Sequence, residues 1–142
     1  MTEKKILVVE DDADVRLGYQ ILLRANHYDA MFAGDSSSAI SEALKHSPKL
    51  TILDLGLPAG DGFKVLERFR LNLNLMHIPV IVVSGRQVAG NKDRALAAGA
   101  RAYLQKPWND HELIATIRQL LGETDSALAE LSNGPARAPI EL

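Results

Sequence analysis

Four carboxylates, a hydroxyl and an ammonium stand where short apolar runs of this chain end. Glu10-Asp11-Asp12 follows Ile6-Leu7-Val8-Val9, and Asp54 follows Leu50-Thr51-Ile52-Leu53. Ser84 follows Pro79-Val80-Ile81-Val82-Val83, and Lys106-Pro107 follows Ala102-Tyr103-Leu104-Gln105. Clustered carboxylates repel one another unless a cation or a proton intervenes. A hard dication such as Mg²⁺ takes oxygen ligands in near-octahedral geometry and keeps several waters. A carboxylate with open access can attack phosphorus and carry an aspartyl phosphate. A lysine ammonium supplies a point charge for phosphoryl oxygens, and a serine hydroxyl can donate to one of them. These residue types together point to metal-assisted phosphoryl chemistry at a carboxylate.

Such chemistry needs the six groups on one edge of a rigid frame, and the hydropathy pattern supplies the frame. The runs at 6–9, 50–53 and 79–83 are continuous and apolar, as in strands buried on both faces; 30–33 and 102–105 are weaker strands. Helical spacing fills the gaps between them. Val15, Tyr19 and Leu22 share a face over about 14–26, and Ala39, Ile40, Ala43 and Leu44 share one after a cap at Asp35 or Ser36. Phe63, Leu66 and Arg70 predict a helix over about 62–73, and an Ala-rich helix over 91–98 is stopped by Gly99. Asn109 with Glu112 resembles a capping box, and the helix it opens ends at Gly122. Five strands alternating with five helices predict an α/β fold, a doubly wound five-stranded parallel sheet. In such a sheet ligands bind beyond the carboxyl ends of the strands, which is where Glu10, Asp11, Asp54, Ser84 and Lys106 fall.

Composition narrows the function classes. The 142 residues are 46% hydrophobic, so wholesale disorder is excluded. No cysteine is present, which removes disulfides, thiolate zinc sites and cysteine nucleophiles. The net charge is −2, which gives no general attraction to nucleic acid or anionic membranes. The longest early apolar run has four residues before Glu10, too short for a signal peptide or membrane span. A cytoplasmic protein is the expectation. Residues 1–122 read as one domain and 123–142 as an acidic tail or interdomain linker broken by Gly134-Pro135 and Pro139.

With these residues in place, the chain resembles the receiver domain of two-component response regulators. The matching pieces are Ile6 to Asp12, Asp54-Leu55-Gly56-Leu57-Pro58-Ala59-Gly60-Asp61-Gly62, Val82-Val83-Ser84-Gly85, Ala98-Gly99-Ala100 and Tyr103-Leu104-Gln105-Lys106-Pro107, in the family's order over about residues 4–121. The resemblance implies a flavodoxin-like (βα)5 fold of strand order 2-1-3-4-5. It implies that Asp54 accepts a phosphoryl group from a sensor histidine kinase or phosphotransfer protein. Mg²⁺, for which Mn²⁺ can substitute, would be held by Asp11, Asp54 and the Gly56 backbone carbonyl, with Glu10 assisting through water. Lys106 would contact the phosphoryl group. Ser84 would be the switch hydroxyl, and Tyr103 the aromatic that turns inward with it. The output face would be helix four, strand five and helix five, acting on a downstream protein or output domain, with the protein a monomer or a phosphorylation-dependent dimer. A cis Lys106-Pro107 bond is also implied. Gly56 and Arg86 occupy positions that tune phosphoryl lifetime in the family. Arg101-Ala102 replaces an acidic pair common where the output domain is a DNA-binding winged helix, and Trp108 replaces the usual phenylalanine.

Simpler roles accompany the chemical ones. Asp12 and Asp14 suit a helix start, Asp61-Gly62 a turn and helix start, and Trp108 packing. The four histidines lack metal-ligand spacing and read as solvated. A phosphatase with an aspartyl nucleophile of the haloacid-dehalogenase kind would want a second acid at Gly56, so the chain reads as a regulator rather than an enzyme. A pseudo-receiver, an interaction module working without phosphorylation, would usually have lost an acid or the lysine. The chain ends soon after the receiver-like region, as a stand-alone regulator or as part of a longer one.

Overall fold

The computed structural model describes residues 4–58, 61–85 and 90–123. Ten elements alternate: β1 (Lys5–Val9), α1 (Ala13–Ala25), β2 (Asp29–Ala33), α2 (Ser36–His46), β3 (Leu50–Asp54), α3 (Asp61–Leu71), β4 (Val80–Ser84), α4 (Asn91–Ala97), β5 (Ala102–Gln105) and α5 (Asp110–Leu120). The strands pair in parallel in the order β2-β1-β3-β4-β5. This is the doubly wound, flavodoxin-like order expected.

The strands are continuous apolar runs because both faces of the sheet are covered. Side chains alternate between faces along a strand. Leu7 and Val9 pack with Leu53, Val65, Phe69 and Val82 beneath α2, α3 and α4, whereas Ile6 and Val8 pack with Tyr19, Leu23, Ile81, Leu113 and Ile117 beneath α1 and α5. Each such burial contributes about 1.5–3 kcal/mol relative to exposure. The edge strands β2 and β5 are only partly covered, which is why their sequences read as weaker.

Side-chain caps fix where the helices begin. Asp12 accepts from the backbone N–H groups of Asp14 and Val15, so α1 opens at Ala13, one residue before the periodicity suggested. Asp35, rather than Ser36, caps α2 through the Ser38 N–H. Asn109 caps α5 through the Glu112 N–H. The third helix stops at Leu71 instead of about residue 73. There Asn72 turns the chain, its side-chain oxygen taking the Asn74 N–H and its carbonyl those of Leu75 and Met76. Such local bonds compete with helix continuation. Gly99, at φ 111°, ends the α4 region in a conformation open to glycine.

The register then sets the functional edge. Val9 lies beside Leu53, Asp54 beside Val83, and Ser84 beside Gln105. Glu10, Asp54, Ser84 and Lys106 therefore reach the same end of the sheet. Lys106-Pro107 is cis, as expected. Among the described residues no helix is long and apolar enough to cross a membrane. Arg86 and all of the expected tail beyond Glu123 lie outside the described residues. Glu123 itself accepts a 2.8 Å hydrogen bond from the Tyr28 hydroxyl and pairs with Lys4.

Candidate functional site

The site is a set of carboxylates gathered around one ammonium. Glu10, Asp11 and Asp54 each bring an oxygen within 4.8 Å of the others. Glu10 is 1% exposed and Asp54 7%, while Asp11 is exposed. Lys106 Nζ lies 2.7 Å from Glu10 Oε1 and 3.4 Å from Asp54 Oδ2, bridging the two buried acids. Backbone donors hold the remaining oxygens. The Gly56 N–H donates to Asp54 Oδ1 at 2.8 Å, and the Asp12 N–H donates to Glu10 Oε2 at 3.1 Å.

This arrangement has a definite electrostatic state. Burial pushes the Glu10 carboxyl above its ordinary pKa, the hydrogen bonds from Lys106 and Asp12 oppose that, and the neighbouring Asp54 charge adds to it. Burial works against the Lys106 ammonium, but the Glu10 hydrogen bond and the Asp54 and Glu10 charges outweigh it, and its pKa is raised. The cluster thus keeps one firmly held cation among three acids. Its excess negative charge, its all-oxygen donors and its exposed Asp11 side fit a hard dication such as Mg²⁺. They do not suit zinc or another metal that favours imidazole or thiolate ligands.

The hydroxyl and the aromatic singled out from sequence lie on adjacent strands. Ser84 closes β4 at 3% exposure, and its carbonyl accepts the Lys106 N–H at 2.8 Å. Tyr103 is half-buried on β5, against the face covered by α3 and α4. Asp12 serves as a helix cap, as its position suggested. Asp61 opens α3 and is not part of the acid cluster; it accepts the Ser36 N–H at 3.1 Å and so ties α3 to the start of α2.

Three features escaped the sequence reading. Trp108 stacks on Tyr19, with ring centroids 4.1 Å apart and planes 15° from parallel, and donates its indole N–H to Asp110. Burial first, and then the Glu10 and Asp54 charges, raise the Tyr19 pKa. No pattern in sequence links residues 19 and 108. Gly62 is the second feature: a Cβ there would stand 2.7 Å from the Leu55 Cα and 3.0 Å from the Asp54 carbonyl, so α3 rests directly on the backbone where β3 ends at Asp54. The third is Arg16, whose Nε donates to the Glu10 carbonyl at 2.5 Å. Its signal was present, as the only cation in the stretch from Glu10 to Arg16.

Comparison with known proteins agrees with this geometry. Residues 6–118 match the sequence model described as "Response regulator receiver domain". The transcriptional regulatory protein PrrA of Mycobacterium tuberculosis is 32% identical over all of this chain, which spans 60% of that protein. A CheY-like response regulator receiver domain protein from Methanospirillum hungatei superposes with a TM-score of 0.78 at 26% identity, over 85% of this chain and 95% of the other. The receiver domain of the sensor histidine kinase PA1611 from Pseudomonas aeruginosa, solved with a magnesium ion coordinated in its active site cleft, does so at 0.78 and 25%, over 86% of this chain and all of the other.

Proposed function

The chain belongs to the response regulator receiver domain family, and on that premise we propose that it is a phosphorylation-dependent switch whose phosphoacceptor is Asp54. The observation that carries this reading is the convergence of the Glu10, Asp11 and Asp54 oxygens within 4.8 Å, with Lys106 against the two buried acids. Transfer begins when a phosphohistidine of a histidine kinase or phosphotransfer protein meets this edge. An oxygen of Asp54 forms a bond to phosphorus as the P–N bond breaks, and the imidazole leaves and takes a proton from solvent. Phosphoryl transfer is governed by positioning and charge stabilisation more than by covalent chemistry of the protein. The Gly56 N–H holds one Asp54 oxygen and so fixes the direction of attack. Lys106 exchanges its contact with Asp54 for one with a phosphoryl oxygen, while Glu10 keeps its ammonium in place.

Asp11, Asp54 and the Gly56 backbone carbonyl would hold Mg²⁺, or Mn²⁺ in its place, with Glu10 beside it. When bound, the dication offsets charge on the incoming phosphoryl group as a Lewis acid.

The signal leaves through Ser84. The new phosphoryl oxygens are acceptors that the bare carboxylate lacked, and the Ser84 hydroxyl gains by moving to one of them. The space it vacates admits Tyr103. That differential contact is what allows phosphorylation to shift an equilibrium between two states. The α4-β5-α5 face then presents an altered surface to a downstream protein or output domain. The chain spans 60% of the length of the PrrA relative, whose name places it among transcriptional regulators, which supports reading 123–142 as a linker towards an output domain. The protein acts as a cytoplasmic switch, monomeric or dimerising on phosphorylation, and its only catalysis is of its own phosphorylation and dephosphorylation.

Acetyl phosphate with Mg²⁺ tests the proposal. Wild type should incorporate acid-labile phosphate and Asp54→Asn should not. Ser84→Ala should be phosphorylated but show much smaller amide shifts in α4 and β5. Full incorporation by Asp54→Asn would move the acceptor elsewhere. No incorporation by wild type would favour an interaction module that works without phosphate.

A further inference from the structure

We infer that Arg16 is a positioning residue for the metal-binding loop, holding the peptide between Glu10 and Asp11, and that Gly34 is a glycine to leave room for it. The inference rests on the proposed role of Glu10 and Asp11 at the metal. Arg16 lies in the first turns of α1, and its Nε donates back to the Glu10 carbonyl. That carbonyl belongs to the peptide that leads into Asp11. On the other side of Glu10, its own N–H donates to the Ala33 carbonyl at 2.9 Å. The backbone at Glu10 is therefore fixed from two elements, β2 through the N–H and α1 through the carbonyl. Asp11 is exposed and follows the last residue of β1 by two, so the direction of this peptide sets where its carboxylate points.

The guanidinium is itself held in a prepared place. It lies 5.7 Å from the centroid of the Phe32 ring. A Cβ built on Gly34 would stand 2.9 Å from Arg16 Nη2. No positive φ requires glycine at position 34, so what the missing side chain provides there is space. The atom such a Cβ would meet is the tip of a flexible side chain. A methyl at 34 would therefore displace the arginine rather than disturb the strand. Phe32 and Gly34 are two residues apart along β2 and its exit, and both face the same guanidinium.

Charge and geometry predict opposite signs. If Arg16 acted only as a cation near the acids, removing it would remove a repulsion toward Mg²⁺ and tighten binding. If it orients the loop, removing it loosens binding, because partners that fix ligand orientation typically matter about 10–100-fold in affinity.

The experiment measures Mg²⁺ dissociation constants by calorimetry on the full 142-residue chain, with metal-free circular dichroism as the check on folding. Arg16→Ala should weaken Mg²⁺ about tenfold. Gly34→Ala should weaken it in the same direction, and the double variant should bind no worse than Arg16→Ala alone. Arg16→Lys, which keeps the charge and loses the fork, should stay closer to Arg16→Ala than to wild type. Unchanged or tighter binding by Arg16→Ala would overturn the inference, as would a Gly34→Ala effect that adds fully to that of Arg16→Ala. In both cases the Asp54 reading stands if wild type binds Mg²⁺ and takes up phosphate. A wild type that binds no Mg²⁺ would overturn both.

Discussion

Replacing Asp11 by asparagine should make the metal-free protein more stable and the metal-loaded one less so. Its carboxylate has an oxygen within 4.8 Å of oxygens of both Glu10 and Asp54. Two unit charges at that distance repel by about 0.9 kcal/mol under water-like screening and by about 3.5 kcal/mol at an effective dielectric near 20. Asp11 is exposed, so the lower value applies, roughly 1.7 kcal/mol for the two pairs. Lys106, bonded to both partners, attracts Asp11 as well and cancels part of this. A net gain of about 1 kcal/mol remains, which for a domain of this size raises Tm by about 3–5 °C. The assay is differential scanning calorimetry in a chelator, repeated with Mg²⁺. Saturation at a hundredfold over Kd should stabilise wild type by about 2.7 kcal/mol, and most of that increment should vanish in Asp11→Asn. A metal-free Tm that is unchanged or lower in Asp11→Asn would refute the idea that the acids oppose one another in the fold.

Other outcomes follow from single groups. Thr51 is fully buried in β3, and among the described residues its hydroxyl has no hydrogen-bond partner, so Thr51→Val, similar in shape and without the orphan group, should stabilise by about 1 kcal/mol in urea unfolding. His27 has a φ of 69° where α1 ends, with Tyr28 N–H bonded to the Leu23 carbonyl and His27 N–H to that of Arg24. His27→Gly should therefore raise stability by about 1 kcal/mol, read from the same transition. Gly62→Ala presses a methyl onto the Leu55 and Asp54 backbone, and should cost about 1–3 kcal/mol while slowing phosphate uptake from acetyl phosphate.

Much of this protein was legible from its residues alone. The runs at 6–9, 50–53 and 79–83, apolar but for Thr51, do not alternate as strands with one wet face do, and that pattern points to a parallel sheet wrapped by helices. Once the strands are parallel, the residues just beyond their carboxyl ends share an edge. The sequence alone therefore puts Glu10, Asp11, Asp54, Ser84 and Lys106 at one edge. Asp12 and Asn109 were readable as caps, and Asp35 as one of two candidates beside Ser36, because the signal is local: a cap bonds an N–H two or three residues away.

Tertiary structure decided the contacts between residues distant in sequence. The stacking of Tyr19 on Trp108, the bond from Ser36 to Asp61 and the bridging of Glu10 to Asp54 through Lys106 all join separate elements. Hydropathy periodicity says which face of an element is buried but not which partner meets it. The same holds for the glycines. Gly34 and Gly62 look alike in sequence, yet one leaves space for a guanidinium and the other lets a helix rest on backbone. Both distinctions come from distances of about 3 Å between chain segments, set by how the elements pack, and composition and spacing do not carry them.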